Sequence, residues 1–75
     1  MRAYVLITVR SGEEMELLRM LRQVPGVVRA DFTFGPYDVI TELELPDLNS
    51  IGKLVSGTIR CEPGVIETVT CLVVA

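Results

Sequence analysis

The sequence predicts an α+β fold of element order βαββαβ, and three observations carry that prediction. Four apolar, β-branched segments of strand length are interleaved with two segments whose apolar residues recur at helical spacing. The tetrapeptide Val24-Pro25-Gly26-Val27 is echoed by Glu62-Pro63-Gly64-Val65, thirty-eight residues later, so the chain divides into two similar strand-helix-strand units. A length of 75 residues leaves room for one domain, spanning 1–75, and for no separable second module. With right-handed crossovers, two such units fold as a ferredoxin-like split βαβ sandwich. Its antiparallel sheet runs in the order 4-1-3-2 and carries both helices on one face.

The first strand is Ala3 to Val9 (AYVLITV), bounded by Ser11-Gly12. Ala3, Val5, Ile7 and Val9 share one face and Tyr4 and Leu6 the other, with Thr8 as the single polar residue, so burial on both faces is expected. Ser11-Gly12-Glu13-Glu14 reads as a capping box, with Ser11 capping and Glu14 at the third helical position. The helix behind it runs to about Gln23 and buries Leu17, Leu18, Leu21 and Val24, with Met15 at the margin. Glu13, Glu14 and Glu16 near its positive end, and Arg19 and Arg22 near its negative end, suit the helix dipole and are helix chemistry rather than catalysis. Pro25-Gly26 stops it. Val28, Ala30, Phe32 and Phe34 then alternate with Arg29, Asp31 and Thr33 as a second strand, ended by Gly35-Pro36. The third strand, Tyr37 to Leu45, places Tyr37, Val39, Thr41, Leu43 and Leu45 on one face and Asp38, Ile40, Glu42 and Glu44 on the other. So short a connection makes these two strands an antiparallel hairpin. Asp47 caps a second helix with the stripe Leu48, Ile51, Leu54 and Val55. Gly52 and Gly57 weaken that helix by about 1 kcal/mol each relative to Ala, which puts its end between Gly57 and Arg60. Val65 to Val74 (VIETVTCLVV) is the fourth strand.

Size scaling gives a folded surface of about 4,600 Å² and roughly 4,500 Å² of apolar area buried on folding. At about 25 cal/mol per Å² this burial stabilises by roughly 110 kcal/mol, and ordering the chain at about 1.5 kcal/mol per residue costs about the same. A monomer is therefore marginal, and 49% apolar against 23% charged residues makes a greasy surface for so small a protein. The face of the sheet away from the helices carries Tyr or Leu on strand one and Thr, Leu or Val on strand four. A second copy is the economical cover, which predicts a homodimer of dimeric α/β-barrel type with its sheets face to face.

Seven basic and ten acidic residues leave a net charge of -3 with no basic run, which disfavours direct nucleic-acid binding. The absence of histidine removes the commonest general base and metal ligand, so no metal and no cofactor are expected. Cys61 and Cys71 lack CxxC spacing, and Cys71, inside a strand, reads as a buried inert thiol. No signal peptide and no membrane-length apolar run are visible, which reads as a cytoplasmic protein without a membrane partner. Enzyme readings fare badly. Nucleophilic dyads reduce to Cys or Ser with Lys53 at no supporting spacing, and Glu42 with Glu44 reads as a solvated edge rather than a paired-acid centre. Asp38, directly after the Gly-Pro turn, either accepts turn N–H groups or meets a ligand ammonium.

The order AYVLITV with Gly12 following, VPGVVRA, FGPYDVI, the ELPDL helix start and PGVIETVTCLVV runs through nearly the whole chain. In these segments the sequence resembles the ligand-binding and assembly (RAM) domain of the Lrp/AsnC family of transcriptional regulators. The resemblance implies a dimer, often assembled into an octameric or decameric ring, with free amino acid effectors held in clefts between dimers. It carries the family's loop glycine and aspartate onto Gly35 and Asp38, and its threonines after the second PGV motif onto Thr68 and Thr70. Two departures stand out. The family's usual member has an N-terminal helix-turn-helix domain, and this chain begins at the first strand, so it looks like a stand-alone or excised domain. Pro36 replaces a polar or charged loop residue, stiffening the loop and removing one N–H.

The resulting expectation is an amino-acid-binding oligomeric sensor that modulates transcription indirectly, by co-assembly with a full-length Lrp/AsnC regulator. The alternatives are a structural or adaptor oligomer without ligand, an ACT-like allosteric module and, last, a small ferredoxin-like enzyme.

Overall fold

A computed structural model describes residues 1–75. In chain order the elements are β1 (Arg2–Val9), α1 (Glu14–Leu21), β2 (Val27–Phe32), β3 (Val39–Glu44), α2 (Leu48–Leu54) and β4 (Val65–Leu72), with α2 continued by a π-helical turn over Val55–Ile59. All strand pairs are antiparallel and the sheet order is β2-β3-β1-β4, the ferredoxin-like order expected from the two-unit reading. The folded surface is 4639 Å², as size scaling anticipates.

The barrel expectation is overturned. The sheet is open: four strands end in two unpaired edges, β2 and β4, and no pairing joins them. Closure requires each strand to have two hydrogen-bonded neighbours, and only β1 and β3 do.

Cross-strand partners point to one face, so the register sorts the side chains. Val5 faces Thr41 and Ile7 faces Val39 across one side of β1, while Ala3 faces Leu43. These six are fully buried and meet Leu17, Leu18 and Leu21 of α1 and Ile51 of α2. Val55 and Ile59 of the π-helical turn complete the layer. The other face stays open: Tyr4 and Val69 are exposed, and Leu6 and Ile40 are only half-buried. Burial of β1 on both faces is thus met on the helix side and left incomplete on the other.

Both Pro-Gly pairs form the same turn. The Val27 N–H donates to Val24 O at 3.1 Å and the Val65 N–H to Glu62 O at 3.2 Å, with Gly26 at φ +98° and Gly64 at φ +93°. Proline at the second position and a positive-φ glycine at the third are the signature of a type II turn. The sequence echo is therefore a repeated turn that delivers each second strand of a unit.

Several local expectations are corrected. Ser11 does not cap α1: Glu13 holds the cap position without a side-chain bond, and the Gly12 N–H donates to Glu14 Oε1 at 2.9 Å. Gly12, in the turn, and Glu13, at the cap position, separate Ser11 from the first helical residue, so Ser11 stands two residues too early to cap. A bulge between Val27 and Arg29 leaves Val28 exposed and packs Val27 toward the core, and β2 ends at Phe32 rather than Phe34. Asp47 caps α2 as expected, its Oδ1 accepting from the Ser50 N–H at 2.8 Å and from Ser50 Oγ at 2.7 Å. Leu48, however, is exposed, and the buried stripe is Ile51, Val55 and Ile59. The spacing of four between Val55 and Ile59 falls in the π-helical turn, where the Arg60 N–H bonds to Val55 O, five residues back, at 2.8 Å.

Candidate functional site

The β2–β3 loop is a closed turn. The Thr33 N–H donates to Asp38 O at 2.8 Å and Thr33 Oγ1 to Tyr37 O at 2.8 Å, so both ends of the turn are tied. Gly35 sits at its tip with φ +154°, a conformation L side chains rarely adopt, and Pro36 after it is exposed. Asp38 is the anchor that binds this loop to β1. Its N–H donates to Ile7 O at 2.9 Å, and its Oδ2 accepts from the Val9 N–H at 2.8 Å, at the point where the β1–β3 ladder runs out. Of the two alternatives open for Asp38, the first thus takes a modified form, because the N–H satisfied belongs to the neighbouring strand and not to the turn.

Thr68 and Thr70 lie on β4 opposite Ile7 and Val5, and so project on the helix side of the sheet. No helix covers them fully: Thr68 is half-buried and Thr70 exposed. The structure therefore brings Gly35 together with Asp38, and Thr68 together with Thr70, but not the two pairs with each other. Asp38 and Thr68 flank Ile7 from opposite sides of β1, two inter-strand spacings or about 10 Å apart. A free amino acid carries its ammonium and carboxylate on one carbon, so a single chain does not clasp both from these residues.

Two surface features escaped the sequence reading. Phe34, a strand residue by alternation, is wholly exposed at the loop beside half-exposed Phe32. The signal was present, since Gly35-Pro36 begins the turn one residue later. The second feature is a polar cluster on the open face. Glu42, expected on a solvated edge, is only 13% exposed because β3 is an interior strand. Its carboxylate accepts from Arg2 Nε at 3.0 Å and pairs more loosely with Arg29 Nε at 3.6 Å. Arg2 also donates to the Tyr4 hydroxyl at 2.9 Å, and the Glu42 contact, followed by Tyr4, raises the guanidinium further above its ordinary pKa. Arg2, Glu42, Arg29 and Asp31 rim a shallow depression of about 350 Å³ over Ile40. Only the register reveals this cluster, because Arg2 and Glu42 are forty residues apart.

Cys71 is corrected as well. It is an exposed free thiol on the open face opposite Tyr4, since β4 is an edge strand with nothing over it; Cys61 is also exposed and free. No group of three or more Cys, Asp and Glu residues is placed to hold a metal ion, and no helix is long and apolar enough to cross a membrane.

Residues 2–75 match the family model for the Lrp/AsnC ligand binding domain. No curated protein matches the chain. Among solved structures, FFRP-DM1 superposes with a TM-score of 0.93 at 27% identity, covering 97% of each chain. The Thermus thermophilus protein TTHA0845 gives 0.94 at 28% identity, over 99% of this chain and 92% of the other. The Neisseria meningitidis transcriptional regulator NMB0573, solved as a complex with L-Met, gives 0.87 at 20% identity; 99% of this chain aligns with 49% of that protein.

Proposed function

We propose that this chain, which belongs to the Lrp/AsnC ligand-binding domain family, is an amino-acid sensor that works as a homo-oligomer. In this reading it acts in the cytoplasm, binds a free α-amino acid, and modulates transcription indirectly by assembling with a full-length regulator of the family. The observation that carries it is the family match over residues 2–75, essentially the whole chain. The Neisseria relative's L-Met makes an α-amino acid the ligand class of choice.

The chemistry supports a shared site. Asp38 supplies an acceptor for an ammonium, and Thr68, Thr70 and the N–H groups beside Gly35 supply donors for a carboxylate. Because β1 separates the two sets, the proposed site is completed by a second copy, one contributing the loop and the other the threonines. Binding then favours assembly by mass action, since the ligand prefers the state in which both halves are present. Half-exposed apolar residues on the open face give the homodimer a surface to bury.

One observation favours a second reading, a ligand-free assembly module: the Asp38 carboxylate already serves the Val9 N–H. Calorimetry across the twenty amino acids, with mass measured by light scattering in parallel, separates the two. Binding of one amino acid accompanied by a rise in mass supports the sensor. No heat from any of them at millimolar concentration leaves the assembly module.

A further inference from the structure

Irregular backbone features converge where the π-helical turn hands over to β4. The turn ends at Arg60, whose N–H bonds to Val55 O, and its wider ring leaves Ile59 in the core and Arg60 on the surface. The type II turn at Pro63-Gly64, closed from the Val65 N–H to Glu62 O, then folds β4 back beside it. The β1–β4 register skips Ile66, since Glu67 pairs with Thr8 and Val65 with Val9. Ile66 is thus the extra residue of a bulge, a device that re-aims side chains at the rims of sheets. Between these features lies a depression of about 260 Å³, lined by Arg60, Val65, Ile66, Glu67 and Thr68.

Two polar side chains here are unspent. Arg2, Arg10, Arg19 and Arg29 pair with glutamates and Arg22 donates to Ala30 O, whereas Arg60 makes no side-chain hydrogen bond and no ion pair. The negative end of the helix suits its charge but occupies none of the five N–H donors of a guanidinium. Glu67 does not neutralise it. Opposite Thr8, that residue belongs to the open face of the sheet, and no ion pair joins it to Arg60. The hydroxyls of Thr33 and Thr41 donate to carbonyls, but that of half-buried Thr68 has no partner within the chain.

We infer that Arg60 is the carboxylate-binding residue of the amino acid site, with Thr68 as its second donor. A guanidinium forks onto both oxygens of a carboxylate, which a hydroxyl cannot do, and it carries the charge that Thr68 and Thr70 lack. At about 30 Å³ per water-sized group the depression has room for roughly nine, more than a carboxylate and its α-carbon occupy. This rests on the proposed function and completes its chemistry: Asp38 meets the ammonium, and Arg60 with Thr68 of the other copy meets the carboxylate.

Calorimetry of the wild type against the twenty L-amino acids identifies the one that binds, and its α-carboxamide then serves as the second probe, because it keeps the ammonium and loses the charge Arg60 would meet. The wild type is expected to bind the acid at least about tenfold more tightly than the amide. R60Q is expected to lose that preference, binding the acid at least about tenfold more weakly than the wild type does and the amide about equally. R60K, which keeps the charge without the fork, falls between the two. Since Arg60 is exposed and unpartnered, R60Q is expected to melt as the wild type does. An R60Q that binds the acid as tightly as the wild type overturns the contact, and so does an equal loss for acid and amide, which marks a structural role. Either result leaves the sensor reading standing. A wild type that binds no amino acid at millimolar concentration overturns the sensor reading and the role of Arg60 with it.

Discussion

Replacing Asp38 separates scaffold from ligand chemistry at the position where the two compete. The Asp38 carboxylate accepts from the Val9 N–H at 2.8 Å, and Val9 is only 6% exposed. Asp38→Ala leaves that N–H without a partner in a site water hardly reaches, which costs about 1–3 kcal/mol. For a domain of this size each kcal/mol moves the melting temperature by about 4–8 °C, so a drop of roughly 10 °C is expected. Asp38→Asn keeps a carbonyl oxygen in the same place and is expected to restore most of that loss, while removing the charge offered to a ligand ammonium. Differential scanning calorimetry reads the first effect and titration with the identified amino acid the second. Asp38→Ala is expected to lower affinity by at least about tenfold, and Asp38→Asn to bind weakly although it melts close to wild type. An unchanged melting temperature for Asp38→Ala refutes the anchoring of β1. An Asp38→Asn variant that binds as tightly as wild type refutes the ammonium contact while leaving the fold argument intact.

Thr70→Val should weaken amino acid binding less than Asp38→Ala does, because it removes one neutral hydroxyl, and Glu44→Ala, more than half exposed and remote from the loop, should leave it unchanged; the same titration checks both. Gly26→Ala is expected to destabilise by about 2–5 kcal/mol, since φ is +98° and a Cβ would lie 2.6 Å from Leu45 Cδ2, whereas Gly12→Ala, with φ +94° and open space, should cost about 1–2 kcal/mol in urea unfolding. Asp47 is held below its ordinary pKa by the Ser50 hydroxyl and then the Ser50 N–H. A depressed folded-state pKa contributes stability above the unfolded value and loses it as pH falls through the folded one, so the pH dependence of melting on the acid side should be shallower in Asp47→Asn.

Periodicity made the sheet legible and left its local exceptions hidden. The alternation in Tyr37 to Leu45 assigned every side chain of β3 to the correct face, because one face packs on helices and a slip of one residue would expose Val39 and Leu43. The same reasoning failed at Val28, where an extra residue reverses the alternation and nothing in the letters marks it. It failed again at Glu42 and Cys71, because a strand's own residues do not say whether it lies inside the sheet or at its edge. Glu42 looked wet and is interior; Cys71 looked buried and is on an edge. The residues of the proposed site were named from family motifs, and only the strand order shows that β1 stands between them.

That strand order links the two halves of the functional question. With β1 central, the loop bearing Asp38 leaves the sheet on one side of Ile7 and the threonines of β4 on the other. No side-chain rotation spans two strand spacings, so either the ligand is larger than an amino acid or the partner groups come from another copy. The second case makes binding depend on assembly. Affinity for the identified amino acid is accordingly expected to fall on dilution below the concentration at which light scattering shows the oligomer dissociating, and an unchanged affinity in the dissociated chain refutes a site shared between copies.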